Sequence, residues 1–294
     1  MNMQFRMFSG SLGAVLSLLS GPAFADCSEL PNWPSLRSAL VSAVANSNGG
    51  LGFNMWGTLI ANDGTVCAVA FSGGSFTGQW LGSRVISAQK ANTANDFSLG
   101  LGSTPSTSKF PSGLALSTAN LFTAVQPGGS LYGLQHSNPV DTHVAYANVS
   151  NQGIVPASLN TTPASSELFG SARDPMVGAR IGGVNVFGGG LALYRGGLKV
   201  GGVGVSGDTS CTDHMVAWRV RNILGLDQFQ GVAGVSGDAA RPDNIIFDIV
   251  ANSDGTGGTG QTPGGSGGIG TSPSGFGHPK CLFNPNPSTL PPVH

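Results

Sequence analysis

The chain has 294 residues, a net charge of −1 and only 9% charged side chains. That length holds one or two domains with ample material for a hydrophobic core. No basic patch emerges, which argues against nucleic acid as a partner, and a charge-poor makeup rich in Gly, Ser and Asn suits an exported β-rich protein.

Arg6 forms a positive start, residues 7–19 form a short apolar run, and Ala23-Phe24-Ala25 offers an A-x-A cleavage site. Residues 1–25 therefore read as a signal peptide. The mature chain is expected to begin at Asp26 and to be periplasmic or secreted. A lipoprotein is disfavoured because Asp26, not a small residue, precedes Cys27. No other apolar run is long enough to span a bilayer as a helix. Cys27, Cys67, Cys211 and Cys281 make an even count in an exported chain, which argues for two disulfides with the pairing open. No C-x-x-C-H motif for covalent haem is present.

Residues 34–45 carry Leu36, Leu40 and Val44 on one stripe, with Pro34 in the first turn, and predict a helix. Residues 53–60 and 65–71 are β-compatible and flank Asn62-Asp63-Gly64, a strong hairpin signal. Residues 83–97 predict a second helix with Ser83 as N-cap. Lys90 lies on its apolar face. It is either a functional cation or a lysine whose stem packs while the ammonium reaches water. Residues 99–180 are irregular and polar, with apolar islands at 114–125 and at Leu131-Tyr132-Gly133-Leu134-Gln135-His136. A loop of this length is functional or disordered, and the islands argue against full disorder.

The stretch 187–221 organises the rest. Residues 191–194 and 199–205 read as strands joined by a Gly-Gly turn, and Ser206-Gly207-Asp208 bends the chain. A helix over 212–224 follows, with His214, Trp218 and Arg221 on one face. The bend before a helix start is a candidate anion site, because free N–H groups point outward there. Gly202-x-Gly204-x-x-Gly207 matches the dinucleotide fingerprint. Its glycines sit inside a strand pattern, so they are read as permitting close backbone approach to a ligand or neighbouring strand. Gly225 is a C-cap candidate, residues 244–250 predict a further strand, and residues 253–274 read as a flexible linker. Cys281 beyond that linker suggests a tail pinned back onto the domain.

The blocks GGGLALYRGGLKVGGVGVSG, DGTVCAVAFSG and SRVISAQKANTANDF resemble the GlcG/HbpS family of haem-binding-type domains, a family related to the C-terminal domain of PduO-type proteins. The resemblance implies an α+β fold, an antiparallel sheet of about five strands with packed helices. It implies one domain over residues 26–250, with 99–180 as a loop-rich insertion and 251–294 as a Gly-rich linker and tethered tail. It also implies a homo-oligomer. Lys90-Ala91-Asn92-Thr93-Ala94 matches a segment usual in the family, which adds weight to the functional reading of Lys90 and leaves both readings open. One iron-ligand position known in the family lies on the first helix, and residues 34–45 hold no histidine.

The leading expectation is an exported binding protein for haem or a similar flat anionic ligand. Its anionic groups would meet Ser206, Gly207 and Asp208, near Lys90. Tyr132 and His136 would wall the site, and His214 or His136 would ligate the iron. Asp208 and Asp213 would weaken anion binding there unless they are bonded elsewhere. Two other readings stay open. One is an enzyme on the same scaffold, using His214, Asp213 or Lys90 as acid or base on a small metabolite. The other is an accessory protein without small-molecule chemistry. Cys211-x-x-His214 has the spacing of half a metal site, but the other half is missing and a disulfide is the preferred use of Cys211.

Overall fold

The computed structural model describes residues 27–146, 165–253, 257 and 270–294. The expected signal peptide and most of the Gly-rich linker lie outside these residues.

Helix α1 (Trp33–Val44) is capped by Asn32, whose side chain accepts from Ser35 N. Strands β1 (Trp56–Ala61) and β2 (Val66–Phe71) form the expected hairpin. Helix α2 (Ser83–Asp96) follows. Ser83 is its first residue and not its cap: Gly82 holds the cap position and has no side chain to offer. The stretch 99–180 contributes β3 (Leu114–Ala115), α3 (Leu121–Ala124) and α4 (Thr142–Tyr146). Then come β4 (Gly190–Arg195), β5 (Leu198–Ser206), α5 (Ser210–Ile223) and β6 (Ala233–Gly234).

The fold is α+β. The central antiparallel sheet has four strands in the order β2-β1-β5-β4, and β3 pairs β6 in a separate parallel ladder. The stretch 244–250 does not become a strand. Its groups bond elsewhere: Ile245 N donates to Asn244 Oδ1 and His214 Nε2, and Ile246 O accepts from His278 N.

Side chains alternate across the sheet, so each strand feeds two cores. Leu59, Leu191, Leu193, Val203 and Val205 pack with α1 and α5. Trp56, Ile60, Val66 and Val69 pack with Val85, Ala88 and Ala91 of α2. The β5 glycines let α2 lie directly on the sheet. A Cβ on Gly202 would sit 2.3 Å from Ala91 O, and one on Gly204 would sit 1.9 Å from Ser87 O. The close approach expected for a ligand or strand is therefore made by a helix.

The disulfides are Cys27–Cys67 and Cys211–Cys281. The second ties the start of α5 to the tail. The tail packs further: Leu290 is 1% exposed, and Trp218 Nε1 donates to Pro291 O at 2.9 Å. Among the described residues, no helix is long and apolar enough to cross a membrane.

Candidate functional site

Three elements converge where the sequence placed its site: α2, the end of β5 and the first turn of α5. Lys90 reaches across from α2 past Gly189, where an added Cβ would lie 3.1 Å from its Nζ and 2.9 Å from Asp213 Cβ. Its Nζ donates to Asp213 Oδ2 at 2.7 Å and to Val205 O at 3.2 Å, and lies 4.2 Å from the centre of the Phe187 ring. Both side chains of the pair are at most 1% exposed. Burial lowers the Lys90 pKa and pushes Asp213 up to about 6, with each partner opposing the other's shift.

The backbone N–H groups at this bend are taken by the chain's own carboxylates. Asp213 Oδ1 accepts from Gly207 N at 3.1 Å and from Asp208 N at 2.9 Å. Asp208 accepts from Leu51 N at 2.8 Å and Phe53 N at 3.0 Å, and also from Thr209 N. Thr209 caps α5 by accepting from Thr212 N. Both carboxylates are thus bonded to backbone donors, and Ser206, Gly207 and Asp208 are buried.

His214 is fully buried beside this brace. Its Nε2 accepts from Ile245 N at 3.2 Å and lies 3.1 Å from Asn244 Oδ1. Its Nδ1 has no hydrogen-bond partner among the described residues. Burial pushes its pKa down to about 4. A Cβ on Gly188 would meet Ser210 O at 2.2 Å and His214 Cβ at 3.1 Å, so the backbone closes tightly over the ring. A haem macrocycle does not fit here. An acid–base role for Lys90, Asp213 or His214 meets the same obstacle, since none of the three is more than 1% exposed.

The stretch 99–180 reaches this region through its first apolar island. Thr118 Oγ1 donates to Phe187 O at 2.7 Å and accepts from Gly190 N at 2.9 Å. Tyr132 is 67% exposed, and His136 is exposed on a 3-10 turn, Leu134–His136. The structure therefore joins Lys90, Ser206, Gly207, Asp208 and His214, and presents Tyr132 and His136 to solvent instead.

Sequence reading missed two features. Arg221 and Asp243 form a fully buried bidentate pair, at 2.6 and 2.9 Å, behind Trp218 and Phe229. Phe53 and Trp80 form an exposed edge-to-face pair with ring centroids 5.3 Å apart. They flank a surface cleft of about 340 Å³ also lined by Asn54, Thr77 and Gln79. Asp208 holds the backbone of the Phe53 side of that cleft. Aromatic residues next to Gly-rich turns were the one signal for it.

No family model and no curated protein matches this chain. Among solved structures it is similar to PduOC in its haem complex, at 22% identity over 65% of this chain and 89% of that one, with a TM-score of 0.38. It is similar to the protein ORFY of Klebsiella pneumoniae, at 20% identity over 66% and 90%, TM-score 0.38. It is similar to a double mutant of HbpS from Streptomyces reticuli, at 11% identity over 74% and 99%, TM-score 0.38. Two of these names, PduOC and HbpS, are those of the groups that the sequence blocks resemble.

Proposed function

We propose that this chain is an exported binding protein for haem or a similar flat anionic ligand, held at the surface segment carrying Tyr132 and His136. The observation behind this reading is the contrast between its two candidate iron ligands. His214 is enclosed and its Nε2 is engaged. His136 is exposed, and its Nε2 lies 3.4 Å from the side-chain amide of the half-buried Gln135. An imidazole in water is open to iron. Tyr132 offers a ring to a flat apolar face, and the exposed Tyr146 and partly exposed His143 lie on the same segment.

When bound, haem would supply a redox-active iron, and His136 would hold it. The sequence blocks that resemble haem-binding-type domains bring haem forward over other flat ligands. Export rests on the signal-peptide reading of residues 1–25 and accords with two disulfides. An intact mass beginning at Asp26 tests it.

A second reading places a flat ligand without iron in the Phe53–Trp80 cleft, since that cleft has aromatic walls and no histidine. Haemin titration followed at the Soret band separates the two. We expect His136→Ala to weaken binding about tenfold or more, roughly 1.4 kcal/mol, with Trp80→Ala near the parent. Loss in Trp80→Ala alone would move the site to the cleft. A parent chain with no saturable Soret change would remove haem altogether.

A further inference from the structure

Cys211, His278 and Cys281 place two sulfurs and one imidazole nitrogen within 4.8 Å of one another. Cys211 stands on the first turn of α5, and the tail supplies the other two. We propose that this cluster is a redox-gated site for a zinc-type divalent cation, closed while the disulfide is intact and opened by its two-electron reduction.

The histidine is held beside the sulfurs. His278 is 3% exposed, and its backbone N is anchored to Ile246 O at 2.8 Å. Its Nδ1 lies 2.7 Å from Pro279 O. A carbonyl only accepts, so the proton sits on Nδ1, the ring nitrogen that lies 3.9 Å from Cys211 Sγ, and Nε2 keeps its lone pair; the ring must turn from Cys211 as the sulfurs part for Nε2 to take the cation. Metal-binding histidines are held in this way, with the second nitrogen donating to a backbone carbonyl. Ser210 Oγ lies 3.2 Å from Nε2 and 3.4 Å from Cys281 Sγ. The hydroxyl thus bridges the imidazole and a sulfur, the two groups that a cation would bridge. The Phe122 ring, 5.1 Å from the imidazole, shields that side.

The sulfurs are placed for the same use. Cys211 N, an amide of the helix start, points at Cys281 Sγ at 3.1 Å and would stabilise a thiolate there. Zinc–sulfur bonds of about 2.3 Å put two tetrahedral sulfurs roughly 3.8 Å apart, so the opened pair must part by about 2 Å. Cys281 lies in an irregular, partly exposed segment and can withdraw, while Cys211 is fixed in its helix.

The chemistry balances with a dithiol reductant. It delivers two electrons and two protons, breaks the S–S bond, forms two S–H groups and becomes a disulfide itself. The cation then displaces both thiol protons to solvent, forming two metal–sulfur bonds and one bond to His278, with water in the fourth position. A two-electron oxidant re-forms the S–S bond and expels the cation.

Cobalt(II) is the probe, because tetrahedral thiolate coordination gives it intense visible bands. The oxidised full chain should show none. The reduced chain should take up one equivalent, and the reduced Cys27→Ser/Cys67→Ser variant should do the same. His278→Gln should weaken binding at least about tenfold, and Cys211→Ser/Cys281→Ser should abolish the bands. Circular dichroism reports folding in each case. The proposal is overturned if the reduced parent binds no cobalt, folded or not, if His278→Gln binds like the parent, or if the bands survive in Cys211→Ser/Cys281→Ser. Should Cys27→Ser/Cys67→Ser fail to fold, that last comparison decides alone.

Discussion

Lys90 and Asp213 meet at 2.7 Å between α2 and the first turn of α5, in the dry interior of the protein. The same carboxylate receives the N–H groups of Gly207 and Asp208. One aspartate thus does two things. It neutralises a buried ammonium, and it occupies the place at the helix start that an external anion would take.

Removing Lys90 alone should be costly. Lys90→Met leaves a buried carboxylate without its counter-charge, and breaking such a pair costs about 3–5 kcal/mol. Lys90→Met/Asp213→Asn removes the stranded charge and keeps an oxygen for the two N–H groups. It should recover much of the loss. Urea unfolding of the three proteins tests this. A Lys90→Met chain within about 1 kcal/mol of the parent would show that the pair contributes little.

Acid should destabilise the fold between about pH 4 and 6.5. Burial pushes both His214 and His278 down to about 4, whereas unfolded histidine titrates near 6.5. In that window the unfolded chain binds more protons, so stability rises with pH and is lost on acidification. Asp213 opposes this. Its pKa is pushed up to about 6, so the folded chain holds that proton longer and stability falls as pH rises from about 4 to 6. Asp96, also raised by burial, acts in the same sense as Asp213, but the two histidines shift further and the net effect is loss of stability on acidification. His278→Gln should remove a large part of the slope. Unfolding midpoints across the window check it, and a flat profile in the parent would refute it.

The hairpin and the three long helices were legible because they rest on local signals. Asp63-Gly64 sets the β1–β2 turn, and Leu36 and Leu40 set the buried stripe of α1. The site was legible only in part. The sequence shows glycines at 202 and 204 but not what approaches them, and that turned out to be the backbone of α2. It shows Lys90 but not its partner, 123 residues away. The Ser206–Asp208 bend looked open to an anion because Asp213 gives no sign in sequence that it folds back. Tyr132 and His136 looked like a wall because an apolar island does not reveal which of its residues face water.

The disulfides close long loops, of 40 and 70 residues in sequence separation. The chain-entropy model assigns each about 4 kcal/mol. The unreduced, denatured protein should show no free thiol. Cys281→Ser should lower stability by about that amount, and limited proteolysis should then cut the tail near residue 281. A variant with parent stability and an intact tail would show that Leu290 and the Trp218–Pro291 bond hold the tail without the disulfide.

The sharpest test of the fold is Gly204→Ala. Gly204 pairs with Thr58 on one side and Gly190 on the other, in the middle of the sheet. A methyl there would lie 1.9 Å from Ser87 O and 2.6 Å from Ala91 N, both backbone atoms of α2. A side chain can rotate away from such a clash, but a helix backbone cannot. The helix is also pinned by the Thr58–Ser87 hydroxyl pair at 2.7 Å and by Lys90 on Asp213. Relief therefore requires α2 to lift and both contacts to stretch. Overpacking commonly costs about 1–3 kcal/mol, and this site should reach at least the top of that range. Gly74→Ala is the control: nothing lies within 4 Å of the added carbon, so the change should stay within about 0.5 kcal/mol. Hydrogen exchange should quicken along α2 in Gly204→Ala and stay unchanged in Gly74→Ala. If Gly204→Ala unfolds like the parent, α2 does not rest on β5 as described, and the buried Lys90–Asp213 brace falls with it.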